Sequence, residues 1–196
     1  QEYLDRAITG GNREQGVLFK RGKSLAEQKE YQLAVRDFDE ALKAGENTVA
    51  LFKERANAYL ALGNRKAATD NLTKALALDP NNSDLYYNVA LIKEEGQEYE
   101  AAKQDYDKAI RLNPKDAAAF YGRANCKAEL GDPGAGIADL DDAIEIDGKN
   151  SSYYKLRGNF NYELGNKDAA CADWKKAFEL GDAKAKFSVD QYCGKK

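Results

Sequence analysis

Histidine and methionine are both absent from this chain of 196 residues. Without histidine the commonest general base and the commonest metal ligand are missing. Neither a Ser-His-Asp nor a Cys-His nucleophile can be assembled from this chain alone. No glycine-rich phosphate cradle is expected either, because Gly131, Gly134 and Gly136 flank Pro133 in what reads as a turn between helices. The acids Asp139, Asp141 and Asp142 read as a helix face rather than an acid–base or metal site. No enzyme, cofactor or metal chemistry is expected. Net charge is only −3, with Lys and Arg dispersed, so the basic stripe that nucleic acid binding requires is missing. Apolar runs are too short to cross a bilayer, and membrane insertion is not expected. The missing methionine leads us to expect a processed chain or a piece of a longer one. A periplasmic or exported setting is favoured over the cytoplasm.

What is present is a period of 34 residues. Small residues recur at Gly22, Ala56, Ala90, Ala124 and Gly158. Twelve residues after each come Ala34, Ala68, Ala102, Gly136 and Ala170, then Phe38, Leu72, Tyr106, Leu140 and Trp174. Ala41, Ala75, Ala109, Ala143 and Ala177 complete the register. Each period reads as two helices, A and B, joined by a turn. Gly63-Asn64, Gly131-Asp132 and Gly165-Asn166 are expected to end helix A in the left-handed conformation and cap helix B.

This pattern resembles the tetratricopeptide repeat (TPR) family over residues 15–184. The resemblance implies an all-α, right-handed superhelix, an α-α solenoid of five helix–turn–helix repeats in a single domain over 1–196. Repeat boundaries fall at 15–48, 49–82, 83–116, 117–150 and 151–184. Residues 1–14 read either as part of an earlier repeat or as an N-terminal capping helix, and 185–196 as a C-terminal capping helix.

Comparing the repeats yields a further expectation. Asp37, Asp105 and Asp139 each precede an arginine by 18 residues, at Arg55, Arg123 and Arg157. Where Asn71 replaces the acid, Val89 replaces the base. We therefore expect ion pairs Asp37–Arg55, Asp105–Arg123 and Asp139–Arg157 that set the stacking of successive repeats. Cys171 and Cys193 lie equally far from the turn residue Asp182. An antiparallel hairpin would bring them level, either as a disulfide or as two reduced thiols. Cys126 reads as a buried thiol.

The family resemblance implies a concave groove lined by A helices that binds an extended peptide or partner protein. Its positions fall here on Phe19, Lys23, Lys53, Asn57, Tyr87, Asn88, Tyr121, Asn125, Lys155, Asn159 and Tyr162. Asn amides can both donate to and accept from a peptide backbone. The lysines favour a peptide of some acidic character. Alternatively, the Asn row bonds neighbouring helices. The family's two-carboxylate clamp for chaperone tails is only half present. Lys53, Asn57 and Asn88 match it, but Ala118 and Gly122 stand where Lys and Arg should be. Chaperone-tail binding is thus not expected. The first functional reading is a non-catalytic protein-interaction module. The alternatives are a scaffold that assembles through repeat ends and a regulatory domain of a longer protein.

Overall fold

A computed structural model of the chain describes residues 16–194. The helix expected over 1–14 lies outside them. The described residues form eleven helices. These are α1 (Val17–Glu27), α2 (Tyr31–Lys43), α3 (Val49–Ala61), α4 (Arg65–Leu78), α5 (Ser83–Glu95), α6 (Tyr99–Leu112), α7 (Ala117–Glu129), α8 (Pro133–Ile146), α9 (Ser151–Glu163), α10 (Lys167–Glu179) and α11 (Ala185–Tyr192). Helices α3, α5, α7 and α9 begin at 49, 83, 117 and 151, so the sequence period is the period of the helices. None of the described helices is long and apolar enough to cross a membrane.

Turn chemistry sets the breaks. Gly63, Gly131 and Gly165 take φ of 75°, 93° and 83°. Asn64 then accepts from the backbone N–H of Ala67, and Asp132 from that of Ala135. Pro133 follows at the first helical position, where its missing N–H costs nothing. Asn166 differs from expectation: its side chain makes no cap and instead donates to Asn161 Oδ1 at 3.4 Å.

The helices fall into two compact units, one up to Leu85 and one from Tyr86. In the first, α1 packs on α2, α2 on α3 and α3 on α4. In the second, each helix from α6 to α11 packs on the next along the chain: α6 on α7, α7 on α8, α8 on α9, α9 on α10 and α10 on α11. The repeated alanines are all but inaccessible; Ala34, Ala68, Ala75, Ala102, Ala109, Ala143, Ala170 and Ala177 are 0% exposed. Size is matched across the first and last of these hairpins. Phe38 and Trp174 stand opposite Gly22 and Gly158, where an added Cβ would come within 2.6 and 2.8 Å of the rings. Where the large residue is Leu72 or Leu140, Ala56 and Ala124 take the corresponding place in sequence.

The arginine ladder differs from the expected one. Asp37 is held by Arg21 of its own hairpin, through Nε and Nη2 at 2.6 Å each. Arg55 pairs with Asp39 and donates to Asn71 at 3.0 Å. Arg123 holds Asp139 at 2.9 and 2.7 Å and Asp107 at 2.8 Å. Arg157 holds Asp173 at 3.0 and 2.6 Å and Asp141 at 2.5 Å. Asp105 is bound by Lys93 at 2.5 Å. The expected pairs Asp37–Arg55, Asp105–Arg123 and Asp139–Arg157 are therefore replaced by pairs at a spacing of 16 residues in both directions along the chain, with Asp105 going to a lysine. The reason is helical geometry. Two residues along a helix is a rotation of roughly 200°. In α2, α6 and α8 the inner acid faces the helix's own A helix, and the outer acid, two residues on, faces the A helix that follows. The inner acids are the buried ones, so each depends on its cation to offset the cost of desolvation.

Candidate functional site

The sequence-derived groove residues divide between the two units. In the first, Lys23, Glu54 and Asn57 line a cleft of about 380 Å³ together with Tyr31. Lys23 Nζ lies 3.2 Å from Glu54 and 5.9 Å from the Phe19 ring centre. Lys53 is half-buried and Asn57 exposed. A larger cleft of about 670 Å³ lies elsewhere in this unit, beside Arg21, Asp37, Glu40 and Lys43. Most of its charged groups are engaged, Arg21 by Asp37, Lys43 by Glu40 and Asp39 by Arg55, which leaves it a poor ligand site.

In the second unit, Tyr87, Tyr121 and Asn125 line one cleft of about 310 Å³, along with Leu91, Glu94 and Tyr106. Helices α5 and α7 supply its walls, and Tyr106 of α6 reaches it from behind. Tyr106 is fully buried, and its hydroxyl donates to Glu94 Oε2 at 2.5 Å. Burial, reinforced by the Glu94 carboxylate, pushes this phenol well above its ordinary range, so it remains a donor. Asn125 Nδ2 donates to the other oxygen of Glu94 at 2.6 Å. The Tyr106 ring has room because residue 122 is glycine: a Cβ there would sit 2.3 Å from the ring. Burial also raises the phenols of Tyr87 and Tyr121. Below the cleft, burial and then Glu94 push the Cys126 thiol up to about 12.

The remaining groove residues have partners within the chain. Lys155 is bonded to Asp182 at 2.5 Å, and this contact holds the Asp182 carboxyl below its usual range. Asn159 Oδ1 accepts from Trp174 Nε1 at 2.9 Å. Tyr162 meets the rings of Trp174 and Tyr192 at a tilt of 45°, ring centres 5.5 and 4.7 Å apart. Asn88 is half-buried on α5. Of the three lysines expected in the groove, Lys155 and Lys23 are engaged by carboxylates of the chain itself. Near Tyr192, Cys171 and Cys193 form a disulfide with Cα atoms 5.5 Å apart, tying α11 to α10. Sequence reasoning named Tyr87, Tyr121 and Asn125 but missed Glu94, Tyr106 and Gly122. Their signal was available as departures from the repeat.

Comparisons with known proteins agree with this architecture. Three tetratricopeptide repeat models match, at residues 49–82, 71–104 and 93–151, and together they cover 49–151 without a gap. Hsp70-Hsp90 organizing protein 3 of Arabidopsis thaliana is 33% identical over 102 residues, which is 52% of this chain but only 17% of that protein. Among solved structures, one of MamA is 26% identical with a TM-score of 0.77, covering 84% of this chain and 96% of that one. YrrB, a TPR protein with an unusual peptide-binding site, is 20% identical with a TM-score of 0.78, covering 96% and 97%. At that identity the likeness to YrrB is one of fold. The matched models, the helix period and these structures agree on an all-α repeat solenoid, and the chain belongs to the tetratricopeptide repeat family.

Proposed function

We propose that this chain is a non-catalytic interaction module that takes an extended segment of a partner protein along the face of α5 and α7. The observation that carries this reading is the cleft between Tyr87, Tyr121 and Asn125. Its aromatic walls offer side-chain contact area, and only one amide hydrogen of Asn125 is used by Glu94. The second amide hydrogen and the oxygen can address a peptide backbone. MamA, YrrB and the organizing protein lend the family's general role in protein interaction. A chaperone tail is not the proposed ligand, despite the likeness to Hsp70-Hsp90 organizing protein 3. The tail clamp wants cations where this chain has Ala118 and Gly122, and Tyr106 crowds the space in which a side chain at 122 would begin. The Cys171–Cys193 bond favours an oxidising compartment.

Selection of short random peptides on the full chain, repeated with Tyr121→Ala and Asn125→Ala, tests the reading. Weaker retention by both variants, with unchanged helical signal, is the expected result. Equal retention by wild type and variants would place the binding face elsewhere. A second reading, assembly through the C-terminal end, rests on Phe178 and Phe187, which are 45% and 69% exposed. Light scattering separates the two: a monomer that retains peptides supports the first, and a concentration-dependent oligomer lost on Phe187→Ser supports the second.

A further inference from the structure

We propose that the cleft between α5 and α7 is a pocket for one cationic side chain, lysine or arginine, of the bound segment; this rests on the reading of that face as a peptide groove. Glu94 is the centre of the argument. Its two oxygens accept from Tyr106 and Asn125. Both donors are neutral, so they orient the carboxylate without cancelling its charge. The walls are tyrosine rings, whose faces attract cations. Around Tyr87 and Tyr99 the other charges that act are negative, while Tyr121 feels Lys155 as well as Glu94. Asp116 lies close enough to Tyr87, and Glu129 to Tyr99, to act on their phenols. The neighbouring cations are held in ion pairs: Lys93 with Asp105, Lys103 with Glu100 and Lys155 with Asp182. The space of about 310 Å³ lies at the small end of the range for ligand pockets, which suits a single long side chain.

The repeat itself indicates that this arrangement is not required for folding. At the position of Glu94 the other repeats carry Ala26, Leu60, Ala128 and Tyr162. At the position of Tyr106 they carry Phe38, Leu72, Leu140 and Trp174, none with a hydroxyl. At the position of Gly122 they carry Lys20, Glu54, Asn88 and Leu156. Three departures from the repeat therefore converge on one point. The glycine makes room for the tyrosine, the tyrosine hydroxyl holds the glutamate, and the glutamate supplies charge to an aromatic cleft. A repeat built only for packing has no use for a carboxylate there. An acidic segment, which the lysines of the sequence suggested, would meet Glu94 head on.

The test begins with the full chain and a pool of short random peptides, sequencing the retained fraction. Enrichment of Lys or Arg at one position is expected. In a retained peptide, replacing that residue by uncharged norleucine should weaken binding about tenfold or more, the scale of a hydrogen bond to a charged group. Glu94→Gln should remove most of that discrimination, and high salt should reduce it. Tyr87→Leu, which leaves the Glu94 contacts in place, should also reduce the preference for the cation, and it serves if Glu94→Gln fails to fold. Retained peptides that lack a cation, that carry an acidic residue instead, or that bind as well with norleucine would overturn the pocket while leaving the groove reading intact. No retention of any peptide would overturn both.

Discussion

Arg123 grips Asp139 with two nitrogens, Nε at 2.9 Å and Nη2 at 2.7 Å. The same fork joins Arg21 to Asp37 and Arg157 to Asp173. Each links the two helices of one hairpin around a buried carboxylate, and geometry of this kind is what a planar guanidinium favours.

One member of the ladder is incomplete. Within its own hairpin Arg55 faces Asn71 rather than an acid, and its Nε, buried, has no hydrogen-bond partner among the described residues. Asn71→Asp should supply the missing acceptor and stabilise the fold by about 1 kcal/mol, the usual net value of one hydrogen bond. A denaturant midpoint that falls instead would mean that losing the Asn71 bond to the Ala67 carbonyl outweighs the gain.

Removing a cation from the ladder should cost more. Arg157→Met leaves Asp173 buried with, among the described residues, Asn161 as its remaining hydrogen-bond partner at 3.4 Å, and a destabilisation of roughly 3–5 kcal/mol is expected. Arg123→Met should cost less, because Lys127 also reaches Asp139 at 2.8 Å. Thermal melts of the two variants check the order, and a reversed order would contradict the geometry.

The disulfide closes a loop with a sequence separation of 22, and for loops near this length the bond stabilises by about 3 kcal/mol. Native material from an oxidising compartment should resist alkylation at Cys171 and Cys193. Cys126 should alkylate only after unfolding, since it is buried and its thiol is pushed up to about 12. Mass spectrometry after alkylation without reductant distinguishes the three sites.

The same thiol gives a pH dependence with a definite sign. Its folded pKa lies above the ordinary value near 9. The neutral form is thus favoured by folding, and that contribution is fully present below about pH 9 and declines as pH rises toward 12. The Tyr106 phenol, raised in the same direction, adds to alkaline loss. Stability measured across this window should fall less steeply for Cys126→Ala, a residue found at the matching place in Ala58. Identical slopes would show that the thiol does not titrate in the transition.

Gly122 provides a steric check on the cleft. Gly122→Ala puts a methyl 2.3 Å from Tyr106, so overpacking of about 1–3 kcal/mol is expected. The pair Gly122→Ala with Tyr106→Phe should remain destabilised, since the ring stays. Tyr106→Leu should relieve it, as Leu72 and Leu140 already serve at that position. Urea titration of the single and double variants measures the coupling.

Periodicity made the fold legible. Alanine at one place in every period can only mean a close helix crossing, and glycine followed by Asn or Asp marks a turn whatever surrounds it. Those signals are local, and the helices begin where they say. Partner choice was a different matter. Asp37 and Asp39 are two residues apart, and composition treats them alike, but only the packed hairpin decides that one faces Arg21 and the other Arg55. Lys155 looked like a groove cation until the turn after α10 brought Asp182 to it. Glu94 was unremarkable as one acid among many; its meaning comes from a hydroxyl twelve residues away and an amide 31 residues away. The sequence by itself determined the helices, their order and the small residues at their crossings, because those follow from backbone geometry and steric size. Tertiary structure alone decided which charges meet and where a carboxylate faces aromatic rings, because long side chains choose among partners that only packing brings within reach.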